Sequence, residues 1–263
     1  MDSLSPEILT SIISFIDRSD KLAAYATISR KWQPIIERYT FKTLDISSHD
    51  FTQFARILST SHRRSSLTRL DWNILLPPFG EDEELTSDSE TEAEQQENNE
   101  IFSIRIRELL NILKSWELEF LSVKTARALA IQVSAKSAFG DEWSNQRRFQ
   151  RSLLQLLGDE KLPVVERPIG FYATSNFPRQ VEGASIAKIA SAFRNLEQLH
   201  LQLYDNEKRN HLVRQQHRYG EFQSPDIELV SNVLSRYGQT ARQDLHPVSQ
   251  MAAIRIRALP DAR

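Results

Sequence analysis

The chain has 263 residues, no cysteine, and 33 basic against 35 acidic side chains, a formal charge of −2. That length bounds it to one extended domain or two small ones with a sizeable buried core. Without cysteine, disulfide frameworks, thiolate metal sites and thiol catalysis are excluded, and a near-neutral charge offers no global field for nucleic acid or an anionic membrane. The balance is uneven along the chain: residues 80–100 hold ten acidic and no basic residues, so the remainder is 33 minus 25, or +8. No apolar run approaches the ~18 residues of a membrane span. Asp2 and Glu7 stand where a signal peptide carries positive charge, so the expected location is the cytoplasm, the nucleus or both.

The first 46 residues carry the clearest helical periodicity. Ser5 suits an N-cap, Pro6 the first helical position, and Glu7 the positive end of a helix. Ile8, Leu9, Ile12, Ile13 and Ile16 then recur as one broad apolar stripe, widened by Phe15. Asp17–Asp20 break that helix. Leu22, Ala23, Tyr25, Ala26 and Ile28 form a second short face, and Trp32, Ile35, Ile36 and Tyr39 a third. Pro34 is compatible with a third helix that starts near Lys31, because it then falls in or just beyond the first turn. Three short helices cannot hide this much apolar surface among themselves, and burying one Leu or Ile contributes roughly 1.5–3 kcal/mol. The pattern predicts a helical docking module. A DNA-reading helix pair is disfavoured, since Met1 to Ile46 holds six basic and six acidic residues where phosphate contact needs a basic surface.

These residues resemble a known family. Leu4-Ser5-Pro6-Glu7-Ile8-Leu9 is similar to the opening of an F-box, and Ile28-Ser29-Arg30-Lys31-Trp32 resembles its second signature at the right distance. Phe41-Lys42-Thr43-Leu44 is similar to the exit that closes the motif. The match covers about the first 44 residues and departs from the family at Ser5, usually proline, and Ser29, commonly cysteine. The resemblance implies a three-helix module that binds a Skp-type adaptor, and through it a cullin–RING ligase. Carried over, Leu4, Pro6, Ile8, Leu9 and Ile12 would contact the adaptor with Leu22 and Ile28 in support, while Ile16, Trp32, Ile35 and Ile36 would form the module's own core.

Beyond it, Phe41–Ile46 alternates like a strand and residues 50–59 place Phe51, Phe54, Ala55 and Leu58 on one helical face. Leu67-Thr68-Arg69-Leu70-Asp71-Trp72 and Leu196-Glu197-Gln198-Leu199-His200-Leu201-Gln202-Leu203 both resemble the strand of a leucine-rich repeat, with Leu inward and the residues between facing solvent. Between them are expected helices near 101–116 and 147–157, a strand near 128–133, a strand near 168–174 and a helix over 181–193 carrying Ile186, Ile189, Ala190 and Phe193. Residues 81–100 are almost without apolar side chains and read as a disordered acidic insert, with Ser87, Ser89 and Thr91 in an acidic context that phosphorylation would charge further. A helix over 224–237 and a last alternating strand near 253–259 follow, with no polar cap after it. Truncation relative to longer relatives is the expected reason.

The expected fold is α+β: an F-box over 1–46, a first helix–strand unit over 47–79, the insert over 80–100, and an irregular leucine-rich-repeat-like solenoid over 101–263. This layout resembles the F-box proteins of filamentous fungi. It implies a non-catalytic substrate receptor of an SCF-type ubiquitin ligase, with an unidentified protein substrate and no cofactor, metal, nucleic-acid or membrane partner. A repeat scaffold unrelated to ubiquitin, and a truncated copy with no working receptor surface, stay open. Enzyme motifs are missing: the seven glycines, at 80, 140, 158, 170, 183, 220 and 238, are too scattered for a phosphate-binding loop or a nucleophile elbow, and His211 and His217 lack metal-site spacing. Arg147, Arg148 and Arg151 read as a solvated basic face.

Overall fold

The computed structural model describes residues 5–15, 25–26, 30–78, 90–117, 128–137, 149, 152–173, 179–204, 242–245 and 251–257. The chain is mixed helix and strand, built around a sheet whose first five strands are parallel and lie side by side in chain order. Helix α1 (Pro6–Phe15) and helix α2 (Trp32–Thr40) precede strand β1 (Thr43–Ser47). A 3-10 turn (Ser48–Asp50), α3 (Phe51–Ile57) and α4 (Ser61–Ser66) lead to β2 (Arg69–Leu76). Then come α5 (Glu92–Ser115), β3 (Leu129–Ser137), β4 (Ile169–Ala173), α6 (Gly183–Ser191) and β5 (Leu196–Tyr204). Two antiparallel strands complete the sheet: β7 (Met251–Arg257) pairs with β5, and β6 (Arg242–Leu245) pairs with β7.

Register explains why one face is dry. Leu44, Leu70, Ile131, Phe171 and Leu199 lie in one row across the five strands, and Ile46, Trp72, Val133, Ala173 and Leu201 in the next. Because side chains alternate with period two, a single register sends every one of these apolar residues to the same side. The buried stripes of α5 (Phe102, Ile106, Leu109, Leu113) and α6 (Ile186, Ile189, Ala190) join them in one core. Trp72 is its aromatic centre, with ring centroids 6.2 Å from Phe51 and 5.8 Å from Phe54, which in turn lies 5.8 Å from Trp116.

Two expected elements differ. Part of the predicted acidic insert is helix: Thr91 caps α5, its hydroxyl accepting from the Glu94 amide at 3.3 Å while the Glu94 carboxylate accepts from the Thr91 amide at 2.8 Å. This reciprocal capping satisfies two orphan donors of the first turn. Asn98 and Asn99 are buried, so residues 92–100 form the start of a packed helix. The predicted helix over 147–157 is absent from its described part. Residues 152–157 run extended within the helix layer, with Leu154 bridged in parallel to Val181. Side chains answer the successive amides that a helix would have paired: Asn99 accepts from Gln155 at 2.8 Å, Ser185 from Leu156 at 2.8 Å, and Ser103 from Leu157 at 2.7 Å. The final strand near 253–259 is present as β7 at 251–257, but it runs antiparallel to β5. The helix expected over 224–237 lies outside the described residues.

The extended segment turns at Gly158, the described residue with a positive φ, +87°. A Cβ added there would lie 2.8 Å from Nη2 of Arg107, the atom that donates to the Leu157 carbonyl at 2.5 Å. Gly158→Ala therefore adds left-handed strain of about 1–2 kcal/mol and displaces Arg107. A lower urea midpoint with an unchanged slope is the expected result; an unchanged midpoint contradicts it.

Candidate functional site

The first candidate surface belongs to the N-terminal helices. Ser5 starts α1: its hydroxyl accepts from the Ile8 amide at 3.5 Å and its carbonyl from the Leu9 amide at 3.1 Å, with Pro6 as the first helical residue. The hydrogen bond with Ser5 is the main reason the Glu7 carboxyl lies below its ordinary range. Lys31 stands at the N-cap of α2, which puts Pro34 in the first turn, where its missing N–H costs nothing.

Leu9, Ile13, Trp32 and Ile36 pack into a small core, with Tyr25, Ala26, Ile35 and Tyr39 against it, and none of these residues belongs to the sheet core. Ile8, Ile12 and Phe15 point away from it. They are 49%, 38% and 86% exposed and follow one another at spacings of four and three, a single stripe along α1. Of the residues expected to meet a partner, Ile8 and Ile12 lie on this stripe and Pro6 opens the helix that carries it. Leu9 is instead 2% exposed, because its position one turn before Ile13 turns it toward α2. Trp32 and Ile36 are buried and Ile35 half-buried against them. Leu4, Ile16, Leu22 and Ile28 lie outside the described residues. Phe15, read from the sequence as a widening of the stripe, is its most exposed member.

The helical unit meets the sheet unit through charge. Glu37 of α2 accepts from Nη2 of Arg63 in α4 at 2.8 Å and from Gln33 at 3.1 Å. The hydrogen bond to Arg63 is the largest reason the Glu37 carboxyl lies below the ordinary 4.5 of a glutamate, partly opposed by burial, with Gln33, the Arg63 charge and His62 also lowering it. Arg63 is raised by the same bond. A depressed carboxylate contributes stability that is fully present above its unfolded value and lost as pH falls through the folded one. The Glu37 contribution is therefore expected to be fully present at neutral pH, to begin to fall as pH drops below the ordinary 4.5, and to be lost through the lower folded value. Urea midpoints of the parent and Glu37→Gln should differ at pH 7, with the difference shrinking as pH falls below 4.5; a difference that grows or stays constant on acidification contradicts this.

The second candidate surface is the face of the parallel sheet opposite the helices, which sequence reasoning located only as the residues between the leucines. Here Asp45, Asp71, Gln132, Tyr172 and His200 form one row, and Ser47, Asn73 and Ser134 another. Parallel sheets usually read as apolar on both faces because helices cover both; this one is polar and hydrogen-bonded to itself. Nε of Arg69 donates to Asp71 at 3.0 Å, and its Nη2 donates to Gln132 at 2.7 Å. Asn73 donates to Asp45 and accepts from Ser134. Tyr172 donates to Gln198 at 2.8 Å and stacks on His200 with ring centroids 6.0 Å apart. Gly170 makes room for that ring, since a Cβ there would lie 3.3 Å from a Tyr172 ring carbon. These contacts hold aromatic and amide groups in fixed positions on a largely half-buried face, with Asp45 exposed and Ser134 buried.

A shallow cavity of about 400 Å³ lies past the C-terminal end of β2, between Leu75, Pro77, Ile101 and Ile104, with His49 and the Arg105–Glu108 ion pair at its edge. Among the described residues no three His, Asp or Glu side chains gather in a metal-binding arrangement, and no helix is long and apolar enough to cross a membrane. Comparison with protein families, with characterised proteins and with solved structures gives no match for this chain.

Proposed function

We propose that the chain is a substrate-receptor subunit of an SCF-type ubiquitin ligase, with residues 1–46 as an F-box that binds a Skp-type adaptor. The parallel strands with their helices would be the leucine-rich-repeat-like receptor region, and the polar sheet face would meet the protein substrate. One observation carries this reading: the N-terminal helices complete a small core of their own and still leave Ile8, Ile12 and Phe15 as a continuous exposed stripe. An apolar stripe on one face of a helix whose opposite face is already packed supports a partner. The residue pattern from Leu4 to Leu9 and from Ile28 to Trp32 says which kind. Chain order and the single dry face of the parallel strands support the repeat-like reading of the rest. In this role the chain performs no chemistry; the cullin–RING core transfers ubiquitin, and the chain brings a target to it.

Co-purification with a Skp-type adaptor tests the proposal, with parent compared to Leu4→Ala/Pro6→Ala. A loss of about 1.4 kcal/mol at each position weakens binding about a hundredfold if the two effects add. Capture by the parent and loss in the variant support the reading, and no capture by folded parent overturns it. A second reading, an interaction scaffold unrelated to ubiquitin, is favoured by the hydrogen-bonded sheet face, which needs no adaptor to bind a partner. It predicts that a partner captured by the parent is retained by the Leu4→Ala/Pro6→Ala variant.

A further inference from the structure

The sheet ends on an open strand with a charge at its centre. We propose that β1 is a docking edge for an extended segment of another protein, added as one more strand, whose apolar residues flank a lysine or arginine placed opposite Asp45. This edge is separate from the α1 stripe, and its occupancy is measured without any adaptor.

Among the described strands, β1 is outermost and pairs with β2 on one side only. The Lys42 carbonyl accepts from the Arg69 amide at 3.1 Å, and Thr43 lies beside Arg69 in register. Backbone groups point alternately to the two sides of a strand. Those of Leu44 and Ile46 therefore turn toward β2, and those of Thr43, Asp45 and Ser47 face the open edge. Such a row is a template for another strand. The apolar layer is open at the same place. Leu70 and Trp72 of β2 are wholly buried, whereas Leu44 and Ile46, their partners in register, are half-buried. Phe51 and Ile57 of α3 are half-buried against the same core. A stack of helix–strand units leaves its end layer half-covered in this way unless something caps it.

Asp45 decides what can lie there. It is exposed at the midpoint of β1, on the polar side of the sheet, and Asn73 donates to its carboxylate and holds it in place. A second copy of the chain, paired antiparallel over the full length of β1, would put Thr43 opposite Ser47, Leu44 opposite Ile46 and Asp45 opposite Asp45. Like charges directly opposite destabilise a strand pair, and opposite charges stabilise it. The edge therefore selects against self-pairing. It favours a foreign strand with a cation opposite Asp45 and an apolar residue on either side, to cover Leu44 and Ile46.

The probe is the palindromic peptide acetyl-Thr-Thr-Val-Lys-Val-Thr-Thr-amide, which can present its lysine to Asp45 in either strand direction, with a glutamate version for comparison. Amide exchange of the isotope-labelled full chain is followed by nuclear magnetic resonance. In the free chain the Leu44 and Ile46 amides are expected to exchange slowly and those of Asp45 and Ser47 fast. The lysine peptide should slow the latter two, and should bind roughly threefold to tenfold more tightly than the glutamate peptide. Asp45→Lys should reverse that preference. Ser47→Pro should weaken binding about fivefold, because it removes one outward donor where a φ of −80° already suits proline. Circular dichroism checks that each variant retains its sheet, and Asp45→Lys, at an exposed position, keeps the test open should Ser47→Pro misfold. Slow exchange at Asp45 and Ser47 in the dilute free chain would mean that the chain covers its own edge, and slowing that grows with chain concentration would mean a second copy. Either result overturns the proposal. So does a lysine peptide that leaves both amides unchanged, or a charge preference that Asp45→Lys does not reverse.

Discussion

Replacing Ile8 and Ile12 together by aspartate is expected to abolish capture of a Skp-type adaptor while leaving the unfolding transition nearly where it is. Both side chains are exposed on the free chain, at 49% and 38%, so neither contributes its full burial energy to folding. On a docked surface each would contribute roughly 1.5–3 kcal/mol. Removing two such contributions weakens binding at least a hundredfold at about 1.4 kcal/mol per decade, and a desolvated carboxylate adds to the loss. Leu9→Asp offers the contrast. That residue is in the small core with Ile13, Trp32 and Ile36, so the substitution should unfold the helical unit as well as end binding. Loss of stability in Ile8→Asp/Ile12→Asp, or adaptor capture at the parental level, contradicts this account of α1.

The second large effect concerns an ion pair deep in the helix layer. Arg179→Met is expected to destabilise the fold by about 3–5 kcal/mol, the cost of leaving one partner of a buried pair uncompensated. Nη1 of Arg179 lies 2.9 Å from Oε1 of Glu90, and the two side chains are 0% and 1% exposed. Asn98 donates to the same Glu90 oxygen at 2.6 Å, and the Arg179 guanidinium lies 4.0 Å from the centroid of the Phe149 ring. The pair joins the residue just before the α5 cap to the segment that leads into α6. Because removing both charges also removes the desolvation cost, Glu90→Leu/Arg179→Met should recover most of the loss, with urea midpoints the measurement. A double variant no more stable than the single one would mean that the charges do more than offset each other.

Much of the fold was legible because the strands alternate and the helices repeat. Leu70 and Trp72, and Leu199 and Leu201, were read as inward from the sequence alone, and register then carries the same parity through Ile131, Val133, Phe171 and Ala173. Four places were not read, two because a partner distant in sequence decides the local structure and two because a short-range signal was weak or overlooked. Residues 152–157 have helical apolar spacing but are extended, since Asn99, Ser103 and Ser185 answer their amides. α4, Ser-His-Arg-Arg-Ser-Ser, has no apolar period at all and is held by Arg64 on the carbonyls that end α3. The acidic stretch hid a helix start, although Thr91 and Glu94 stand at the capping-box spacing that signals one. The antiparallel pairing of β7 has no signal in its own alternation, which is the same for either direction.

The exposed stripe of α1 was partly legible on the same terms. Spacing along α1 identifies the apolar residues, but which of them meet α2 depends on where that second helix lies. Leu9 and Ile8 are neighbours in sequence with opposite fates, 2% and 49% exposed. The contact between Glu37 and Arg63 was beyond sequence reasoning, since it joins residues 26 positions apart through two helices whose relation the chain alone does not state.

Titration of the purified chain with a purified Skp-type adaptor in a calorimeter tests the central claim most directly. The F-box account predicts saturable one-to-one binding with a negative heat-capacity change, as burial of the Ile8, Ile12 and Phe15 stripe requires. A folded chain that gives no binding heat at any temperature, with no complex on gel filtration at the same concentrations, would contradict it.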